Sequence, residues 1–264
     1  MKESVHSYLR GKGFSAVDYE IDRKTSTNLE LRDIDLAISL GGDGTILSSA
    51  RLAAPYDIPI LPVNLGDFGF ITEVAQNEWE QVFEKYQQGF LGISKHIMVD
   101  VRVIRNGVET AAFTGLNDAV ISAAGISKLV RLYLSISSTE VGKYRADGII
   151  IATPTGSTAY SASAGGPILD PEMEAMIINP ICPFTLSNRP LVIQGDSHIF
   201  ITVQEEQRTD VILTVDGQET FELLPNDTVE IVQAAKKALI IRSDKRNFFE
   251  VLRSKLNWSG GPDA

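Results

Sequence analysis

Up to about residue 94, short apolar runs alternate with segments whose apolar residues recur at helical spacing. The runs Leu36–Leu40 and Ile58–Val63 are typical of buried strands, and Thr45–Ala54 between them has the pattern of a helix. A second helix is predicted to begin at Asn77, with Glu80 completing a capping box. Its apolar face is formed by Trp79, Val82, Phe83 and Tyr86. This alternation of strands and helices indicates parallel βαβ units.

From about residue 95 the apolar positions alternate at every second residue, which is the spacing of a half-buried strand. The pattern begins with Ile97, Val99, Val101 and Val103. Further strands are predicted at Leu129–Ser137, Gly148–Ala152, Ile199–Gln204, Val211–Val215 and Thr228–Val232. Asn106-Gly107 is a strong hairpin signal, so this half is predicted to be mainly antiparallel β. A strand at Ala238–Arg242 and a helix at Asn247–Leu256 are then predicted to return to the first domain.

The composition narrows the class of protein. The 264 residues are 44% hydrophobic and 22% charged, which is ordinary for a globular protein of one or two domains. The formal net charge of −10 argues against nucleic acid and anionic membranes as partners, because both require a basic surface. No apolar run approaches the roughly 20 residues of a membrane-spanning helix. Cys182 is the single cysteine, which excludes an internal disulfide and is consistent with a reducing, cytoplasmic location.

Two loops after the predicted strands carry the first candidate chemistry. The segment 41–45, Gly-Gly-Asp-Gly-Thr, joins a parallel strand to a helix, where backbone N–H groups and the helix N-terminus can hold an anion. Asp43 could accept a proton from a substrate hydroxyl or hold a ribose; a tight turn is the alternative. In the second loop, Phe68 and Phe70 could wall a planar base or pack in the core.

The β half contributes two further candidates. Asn117 and Asp118 could recognise vicinal hydroxyl groups, although a turn is the favoured interpretation of this pair taken alone. Residues 144–167 are predicted to form a strand, a Pro/Gly turn and a helix opened by Ser157 or Thr158. The small hydroxyl side chains of this helix would let a ligand lie close to it, so this segment is predicted to be functional.

Three motifs in this order, GGDGT, LNDAVI and ADGIIIATPTGSTAYSASAGGP, resemble the signatures of NAD kinases. That family belongs to a superfamily shared with diacylglycerol, sphingosine and phosphofructo-kinases. The resemblance spans about residues 36–234 and implies an α/β N-terminal domain followed by an antiparallel β-sandwich. We expect the α/β domain at residues 1–94, the dinucleotide-binding β domain at 95–234, and a returning strand and helix at 235–264. The resemblance also implies a homodimer or homotetramer.

The resemblance assigns roles residue by residue. Asp43 matches the catalytic proton acceptor. The residues expected to bind NAD are Asp43, Gly44, Phe70, Asn117, Asp118, Arg145, Asp147, Thr158, Ala159, Tyr160, Ser161, Ser163 and Gln218. The loop expected to hold the phosphate donor comprises Gly41, Gly42, Gly44 and Thr45. No resident metal site is expected, because a divalent cation, Mg²⁺ or Mn²⁺, would arrive with ATP and be held by its phosphate oxygens.

The implied reaction is ATP-dependent phosphorylation of the adenosine ribose 2′-hydroxyl of NAD, which gives NADP. Whether ATP or polyphosphate is the donor stays open at this point. A lipid or sphingoid kinase is the enzymatic alternative, and a non-catalytic dinucleotide sensor is the alternative from another class. The sensor is disfavoured because Asp43 is intact.

The family pattern also leads to expectations for single residues and for the start of the chain. Arg145 is expected to favour NAD over NADH by pairing with Asp147. Asp43→Asn is expected to leave folding nearly intact, since the two side chains are nearly isosteric. Two residues depart from the family pattern: Asp118 stands where glutamate is commonest, and Phe184 stands where many relatives have histidine. The resemblance also implies a strand before the first helix, inside which this chain is expected to begin, so we expect that an edge strand is lost or that the start is assigned too late.

Overall fold

The computed structural model describes residues 1–20, 31–66, 69–125, 129–185 and 188–256. The chain divides into two compact units. The first unit comprises Met1–Ser94 and Leu239–Ala264, and the second comprises Lys95–Ala238. The sequence pattern predicted divisions after residues 94 and 234, so the second predicted division lies four residues before the one in the structure.

The elements of the described residues are numbered in chain order. The α-helices are α1 (Lys2–Gly11), α2 (Asp43–Ala53), α3 (Trp79–Gln87), α4 (Tyr160–Ser163) and α5 (Phe248–Leu256). The strands of the first half are β1 (Ala37–Gly41), β2 (Ile60–Asn64), β3 (Val74–Ala75), β4 (Ile93–His96), β5 (Val99–Arg105), β6 (Val108–Gly115), β7 (Asp118–Ala123) and β8 (Val130–Ile136). The strands of the second half are β9 (Thr139–Ala146), β10 (Gly148–Ala152), β11 (Ala175–Ile181), β12 (Leu191–Gln194), β13 (Ile199–Val203), β14 (Val211–Val215), β15 (Glu219–Leu223), β16 (Thr228–Gln233) and β17 (Ala238–Ile241). Short 3₁₀ helices cover Ala54–Tyr56 and Thr155–Thr158.

The first unit is built on a sheet of strand order β1-β2-β17-β4, with β3 paired to β2. β1 and β2 are parallel, and Gly41 at the end of β1 pairs with Asn64 at the end of β2. The loops that follow these two strands therefore begin side by side, as parallel strands require. A core that includes Leu61, Trp79 and Phe83 packs α1 and α3 against this sheet. The predicted βαβ texture is confirmed.

The start of α3 corrects one expectation. The helix begins at Trp79 with Glu78 as N-cap, and no side-chain hydrogen bond caps it, so the predicted Asn77–Glu80 capping box is wrong. Glu78 instead accepts a hydrogen bond from the Ala75 N–H (2.9 Å) and pairs through both carboxylate oxygens with Arg246 (2.7 and 3.1 Å). The residue at the helix start thus has an ion-pair partner 168 residues away, which local sequence cannot reveal.

A reciprocal capping pair does form at α5. The Glu250 N–H donates to Asn247 Oδ1, and the Asn247 N–H donates to Glu250 Oε2, both at 3.0 Å. The C-terminal helix thus forms the capping box at the same Asn-x-x-Glu spacing that forms none at α3.

The second unit is a sandwich of two six-stranded antiparallel sheets. Their orders are β12-β11-β10-β7-β14-β15 and β6-β5-β16-β13-β8-β9. Both sheets contribute to one core, as Ile121 and Ile151 from the first and Leu132 and Ile201 from the second show. The predicted Asn106-Gly107 hairpin joins β5 to β6 with positive φ at both residues (53° and 78°). The α/β plus antiparallel sandwich architecture is confirmed.

The segment after β10 departs from the expected helix. Thr155–Thr158 forms a 3₁₀ turn, and the following helix α4 begins only at Tyr160 with Ala159 as N-cap. The prediction that Ser157 or Thr158 opens the helix is therefore wrong, because both hydroxyls are bonded elsewhere. Within the described residues, no helix is both long and apolar enough to span a membrane.

Candidate active site

The carboxylate of Asp43 is held by the chain segment that follows β2. α2 begins at Asp43, directly after its N-cap Gly42. Asp43 Oδ2 accepts a hydrogen bond from the Phe70 N–H at 2.8 Å. Asp43 Oδ1 accepts hydrogen bonds from the Ile71 N–H (3.2 Å), the Thr72 N–H (3.1 Å) and the Thr72 hydroxyl (3.0 Å). These four donors occupy acceptor directions of the carboxylate, so Asp43 joins the ends of two parallel strands.

Sequence reasoning missed the residues that support this carboxylate. A Cβ at Gly69 would lie 1.8 Å from Asp43 Oδ1, so only glycine leaves room for the aspartate. Asn64 Nδ2 donates to Thr72 Oγ1 at 2.8 Å, and Asn64 Oδ1 accepts from the Gly66 N–H at 2.6 Å. The one signal in the sequence is that Asn64 is a polar residue closing an apolar strand. Thr72 carries no such signal.

The predicted donor loop has one packed and one open glycine. A Cβ at Gly41 would lie 2.1 Å from Thr45 Oγ1, so Gly41 makes room for the threonine side chain. A Cβ at Gly42 would meet no atom of the described residues within 4 Å. Open space therefore faces the first turn of α2, where the helix dipole favours an anion. This placement suits a phosphate group; the roles of Gly41, Gly42, Gly44 and Thr45 stay predictions.

Of the two aromatic candidates of the second loop, the structure describes Phe70 but not Phe68. Phe70 is half-buried, and Lys255 Nζ of α5 lies 5.6 Å from its ring centroid. Phe68 lies outside the described residues. The loop thus brings an aromatic ring next to a cation from the C-terminal helix.

In the second unit, Asp216 organises the Asn117-Asp118 segment between β6 and β7. Asp216 is the first residue of the turn from β14 to β15 and has φ of 52°. Its Oδ2 accepts from the Leu116 N–H (2.9 Å), and its Oδ1 accepts from the N–H groups of Asn117 (2.7 Å) and Asp118 (3.2 Å). The Asp216 N–H donates in return to the Asp118 carbonyl at 2.9 Å. One buried carboxylate thus holds three successive backbone donors.

The turn after β10 holds the same segment from another side. The Thr153 N–H donates to the Asn117 carbonyl at 2.8 Å, and the Thr153 hydroxyl donates to the Leu116 carbonyl at 2.5 Å. The Gly156 N–H donates to Thr153 Oγ1 at 3.1 Å. A Cβ at Gly156 would lie 2.0 Å from the Asn117 carbonyl oxygen, so glycine is required there. Three motifs that are far apart in sequence therefore form one polar cluster in this unit.

Two groups of this cluster have the properties of ligand-binding atoms. Asn117 Oδ1 is buried and has no hydrogen-bond partner among the described residues. Asp118 is only 4% exposed, and burial, with the nearby charge of Asp216 as a second cause, raises its pKa from 3.8 to about 7. Buried polar atoms are normally paired, and strongly shifted carboxylates concentrate at functional sites. These two observations favour a site for hydroxyl groups over a simple turn.

The pKa of Asp118 leads to a prediction about stability. Because the folded pKa is raised, the folded state binds the proton more tightly, and Asp118 costs stability as the pH rises from about 4 to 7. Asp118→Asn removes this cost. The free energy of unfolding of the variant minus that of wild type is therefore expected to be about 2–4 kcal/mol larger at pH 8 than at pH 4, so the variant gains stability relative to wild type.

Urea unfolding of both proteins across this pH range measures the effect. Asp210→Asn is the matched control, because Asp210 is exposed in the same unit. A difference between variant and wild type that does not change with pH would contradict the raised pKa of Asp118.

The hydroxyl groups around α4 divide into inner and outer sets. Ser157 is fully buried, and its Oγ accepts from the Leu169 N–H at 3.0 Å. Ser161 is also fully buried, and its carbonyl and Oγ accept from Asn179 Nδ2 at 2.9 and 3.3 Å. The predicted residues that remain half-buried or exposed are Thr158, Ala159, Tyr160 and Ser163. Ser161 thus supports the turn from inside, and Asn179, which sequence reasoning missed, anchors it.

Arg145 and Asp147 lie at the junction of β9 and β10, and both are exposed. The Arg145 guanidinium lies over the Phe184 ring, 4.9 Å from its centroid. Among the described residues, neither Arg145 nor Asp147 forms an ion pair, so the expected pairing of the two is wrong. The aromatic ring, where many relatives are expected to have histidine, offers the guanidinium a cation–π partner instead.

Gln218 follows the turn that carries Asp216. It is half-buried, and its N–H donates to the Val215 carbonyl at 3.0 Å. The hairpin that clamps Asn117 and Asp118 therefore also presents Gln218, whose contact with NAD stays a prediction.

A glycine-rich strand-to-helix loop in an α/β unit, and an Asn-Asp pair with a buried carboxyl group in a β-sandwich unit, define a two-domain nucleotide-binding protein. Residues 3–90 match the family model of the ATP-NAD kinase N-terminal domain, and residues 116–243 match that of the ATP-NAD kinase C-terminal domain. This chain belongs to the ATP-NAD kinase family, which confirms the resemblance of its motifs.

Individual relatives and solved structures agree with this assignment. An NAD kinase of Treponema denticola is 42% identical over 258 residues, which cover 98% of this chain and 91% of that protein. An NAD kinase of Thermoanaerobacter sp. is 42% identical over 256 residues, 97% of this chain and 90% of that protein. The crystal structure of an Archaeoglobus fulgidus NAD kinase in complex with ATP is similar with a TM-score of 0.77 at 25% identity, covering 98% of this chain and 95% of that one. Yeast NADH kinase complexed with NADH also has a TM-score of 0.77, at 28% identity, covering 87% of this chain and 67% of that one.

Proposed function

We propose that this chain transfers the terminal phosphoryl group of ATP to the 2′-hydroxyl of the adenosine ribose of NAD, giving NADP and ADP. The observation that carries the proposal is the match of both ATP-NAD kinase domains, 3–90 and 116–243, in one chain that keeps Asp43. Phosphoryl transfer requires mainly positioning of the two substrates and neutralisation of phosphate charge.

Asp43 is proposed to orient the hydroxyl and to accept its proton. In this step the hydroxyl oxygen bonds to the γ-phosphorus, the bond from that phosphorus to the β–γ bridging oxygen breaks, and ADP leaves. The hydroxyl proton passes to a carboxylate oxygen of Asp43. The support is the place of Asp43 at the first turn of α2, beside the open space in front of Gly42.

The hydrogen bonds of Asp43 leave one oxygen open to this step. Oδ1 accepts the N–H groups of Ile71 and Thr72 and the Thr72 hydroxyl. Among the described residues, Oδ2 accepts only the Phe70 N–H, so Oδ2 keeps a lone pair and is the oxygen proposed to receive the proton.

Asn117 and Asp118 are proposed to hold hydroxyl groups of the dinucleotide. The support is the buried, unpartnered Asn117 Oδ1 and the raised pKa of Asp118, which lets this carboxyl group donate as well as accept near neutral pH. Thr158, Ala159, Tyr160 and Ser163 are the proposed contacts from the turn around α4, because they are the members of that set with exposed surface.

A divalent cation, Mg²⁺ or Mn²⁺, is proposed to arrive with ATP. Within the described ranges, no three His, Cys, Asp or Glu side chains are grouped so that they could hold a metal ion. Phosphate oxygens would therefore supply most ligands, and the cation would neutralise phosphate charge in the transition state. The cytoplasmic location and the homodimer or homotetramer also stay proposals, supported by the family resemblance.

The central test is NADP formation by the purified chain. With NAD, ATP and Mg²⁺, NADP is expected, and no phosphorylated lipid is expected from diacylglycerol or sphingosine. A parallel reaction with inorganic polyphosphate compares the two donors. Lipid phosphate without NADP would refute the proposal, and tight NAD binding without turnover would identify a sensor instead.

Asp147 is predicted to contribute to the choice between NAD and NADH. Because Asp147 forms no ion pair with a described residue, its carboxylate can complement the positive charge of an oxidised nicotinamide ring. Asp147→Asn is expected to reduce the ratio of kcat/KM for NAD to that for NADH about 3–10-fold, the scale of one exposed charge interaction. Arg145→Gly is expected to reduce this ratio less, since Arg145 lies over Phe184. An unchanged ratio in Asp147→Asn would remove this residue from the specificity argument.

A further inference from the structure

A cluster of cations surrounds a cavity on the C-terminal helix. The cavity has a volume of about 330 Å³ and lies along α5 and the residues just before it. Its charged lining residues are Lys245, Arg246, Arg253, Lys255 and Glu250. Four cations and one carboxylate thus line a single cavity in a chain whose net charge is −10. A site of this sign gives an anion a local attraction that the whole protein does not offer.

The cations of this cavity differ in how they are used. Arg246 is committed to Glu78 through two hydrogen bonds, at 2.7 and 3.1 Å. Lys245, Arg253 and Lys255 are exposed and form no ion pair with another described residue. Glu250 accepts the N–H of Asn247 as the cap of α5. Three cations therefore remain available to a ligand.

A carboxyl group close to these cations is partly neutral and therefore competes less with an anionic ligand. Burial raises the pKa of Glu73 to about 7, against the opposing effect of Arg246 and Arg242. A large part of Glu73 is therefore neutral near neutral pH. This leaves Arg246 and its neighbours with less negative charge around them than the sequence suggests.

One lysine of the cavity also lies near the residue that hydrogen-bonds to Asp43. Lys255 Nζ lies 5.6 Å from the centroid of the Phe70 ring. The N–H of the same Phe70 donates to Asp43 Oδ2 at 2.8 Å. One residue thus separates the ammonium group from the carboxylate, and both belong to the first unit.

We propose that this cavity binds the outer phosphates of a condensed phosphate chain, with Arg253 and Lys255 as the main contacts. Guanidinium and ammonium groups make charge-assisted hydrogen bonds to phosphate oxygens, and several adjacent cations suit a ligand with several adjacent negative charges. The triphosphate of ATP and inorganic polyphosphate share this chemistry. This inference rests on the proposed function, since it assigns the cavity to the phosphate donor.

The test compares wild type with Arg253→Ala/Lys255→Ala at saturating NAD and fixed free Mg²⁺. The KM for ATP is expected to rise about 10-fold or more, while the KM for NAD changes less than about twofold. Tripolyphosphate is expected to inhibit wild type in competition with ATP, and its inhibition constant should rise in parallel. The single variant Lys255→Arg, which keeps Arg253 and a cation at position 255, should retain most of the affinity for ATP that the double variant loses.

Matched controls separate this effect from general changes in charge and stability. Arg10→Ala removes one exposed cation of α1 that does not line the cavity, and its KM for ATP should equal that of wild type. Melting temperatures of all variants confirm that they fold. If the ATP dependence is unchanged and only the use of polyphosphate is lost, the ligand is polyphosphate and the site stands.

Failure of the cavity and failure of the proposed function have different signatures. Unchanged kinetics for both donors, with unchanged calorimetric binding of tripolyphosphate, would overturn the cavity assignment even if NADP is formed. If wild type forms no NADP, calorimetry with tripolyphosphate still tests the cavity, and binding that the double variant loses would support it.

Discussion

Asp43→Asn is expected to lower kcat about 10²–10⁴-fold, the usual effect of removing a positioned general base. The KM for NAD should change less than kcat, because the loop glycines and the other contacts remain. The structure changes the expectation for folding. In asparagine an NH₂ group replaces one carboxylate oxygen. That group would face either the Phe70 N–H or the N–H groups of Ile71 and Thr72, all of which now donate hydrogen bonds to Asp43. A loss of about 1–3 kcal/mol in the free energy of unfolding is therefore expected, with a melting temperature lower by several degrees.

Kinetics and unfolding must be measured on the same preparation, with kinetics well below the melting temperature. Asp33→Asn is the matched control, because Asp33 is exposed in the same unit. Near-wild-type turnover of Asp43→Asn would leave Asp43 as a structural acceptor only. An unchanged melting temperature would contradict the hydrogen bonds to residues 70–72.

Gly156→Ala is expected to have the second largest effect. A Cβ at this position would lie 2.0, 2.5 and 2.8 Å from the carbonyl oxygen, carbonyl carbon and Cα of Asn117. All three atoms are backbone, so no side-chain rotation relieves the clash, and the Asn117-Asp118 segment must move. The variant should lose about 3 kcal/mol or more of unfolding free energy. The KM for NAD should rise about 10–100-fold, since small displacements of binding groups are costly.

Gly92→Ala provides the control for this variant, because a Cβ at Gly92 meets no described atom within 4 Å. Calorimetric titration with NAD, on the folded fraction at low temperature, separates lost affinity from lost stability. Wild-type affinity and stability in Gly156→Ala would show that the turn after β10 does not position Asn117.

The residues that hydrogen-bond to the site residues could not be predicted from the sequence, for a physical reason. Thr72 lies 29 residues from Asp43, and Asp216 lies about 100 residues from the backbone donors that it accepts. A side chain that binds backbone groups leaves no residue pattern at its partner, because every residue except proline has the same N–H. The start of α3 poses the same difficulty, since Arg246, the ion-pair partner of its N-cap Glu78, is 168 residues away.

The amino-acid sequence by itself determined the two textures of the chain, the strands β1 and β2 with their following loops, and the family. Apolar periodicity depends only on which side of each element is buried, and signature motifs are local strings, so both can be read without coordinates. Only the tertiary structure decided which polar groups meet: the four donors on Asp43, the clamp of Asp216 on Asn117 and Asp118, and the burial of Ser161 against Asn179. These contacts depend on distances between elements, which packing of the whole chain sets and local patterns do not encode.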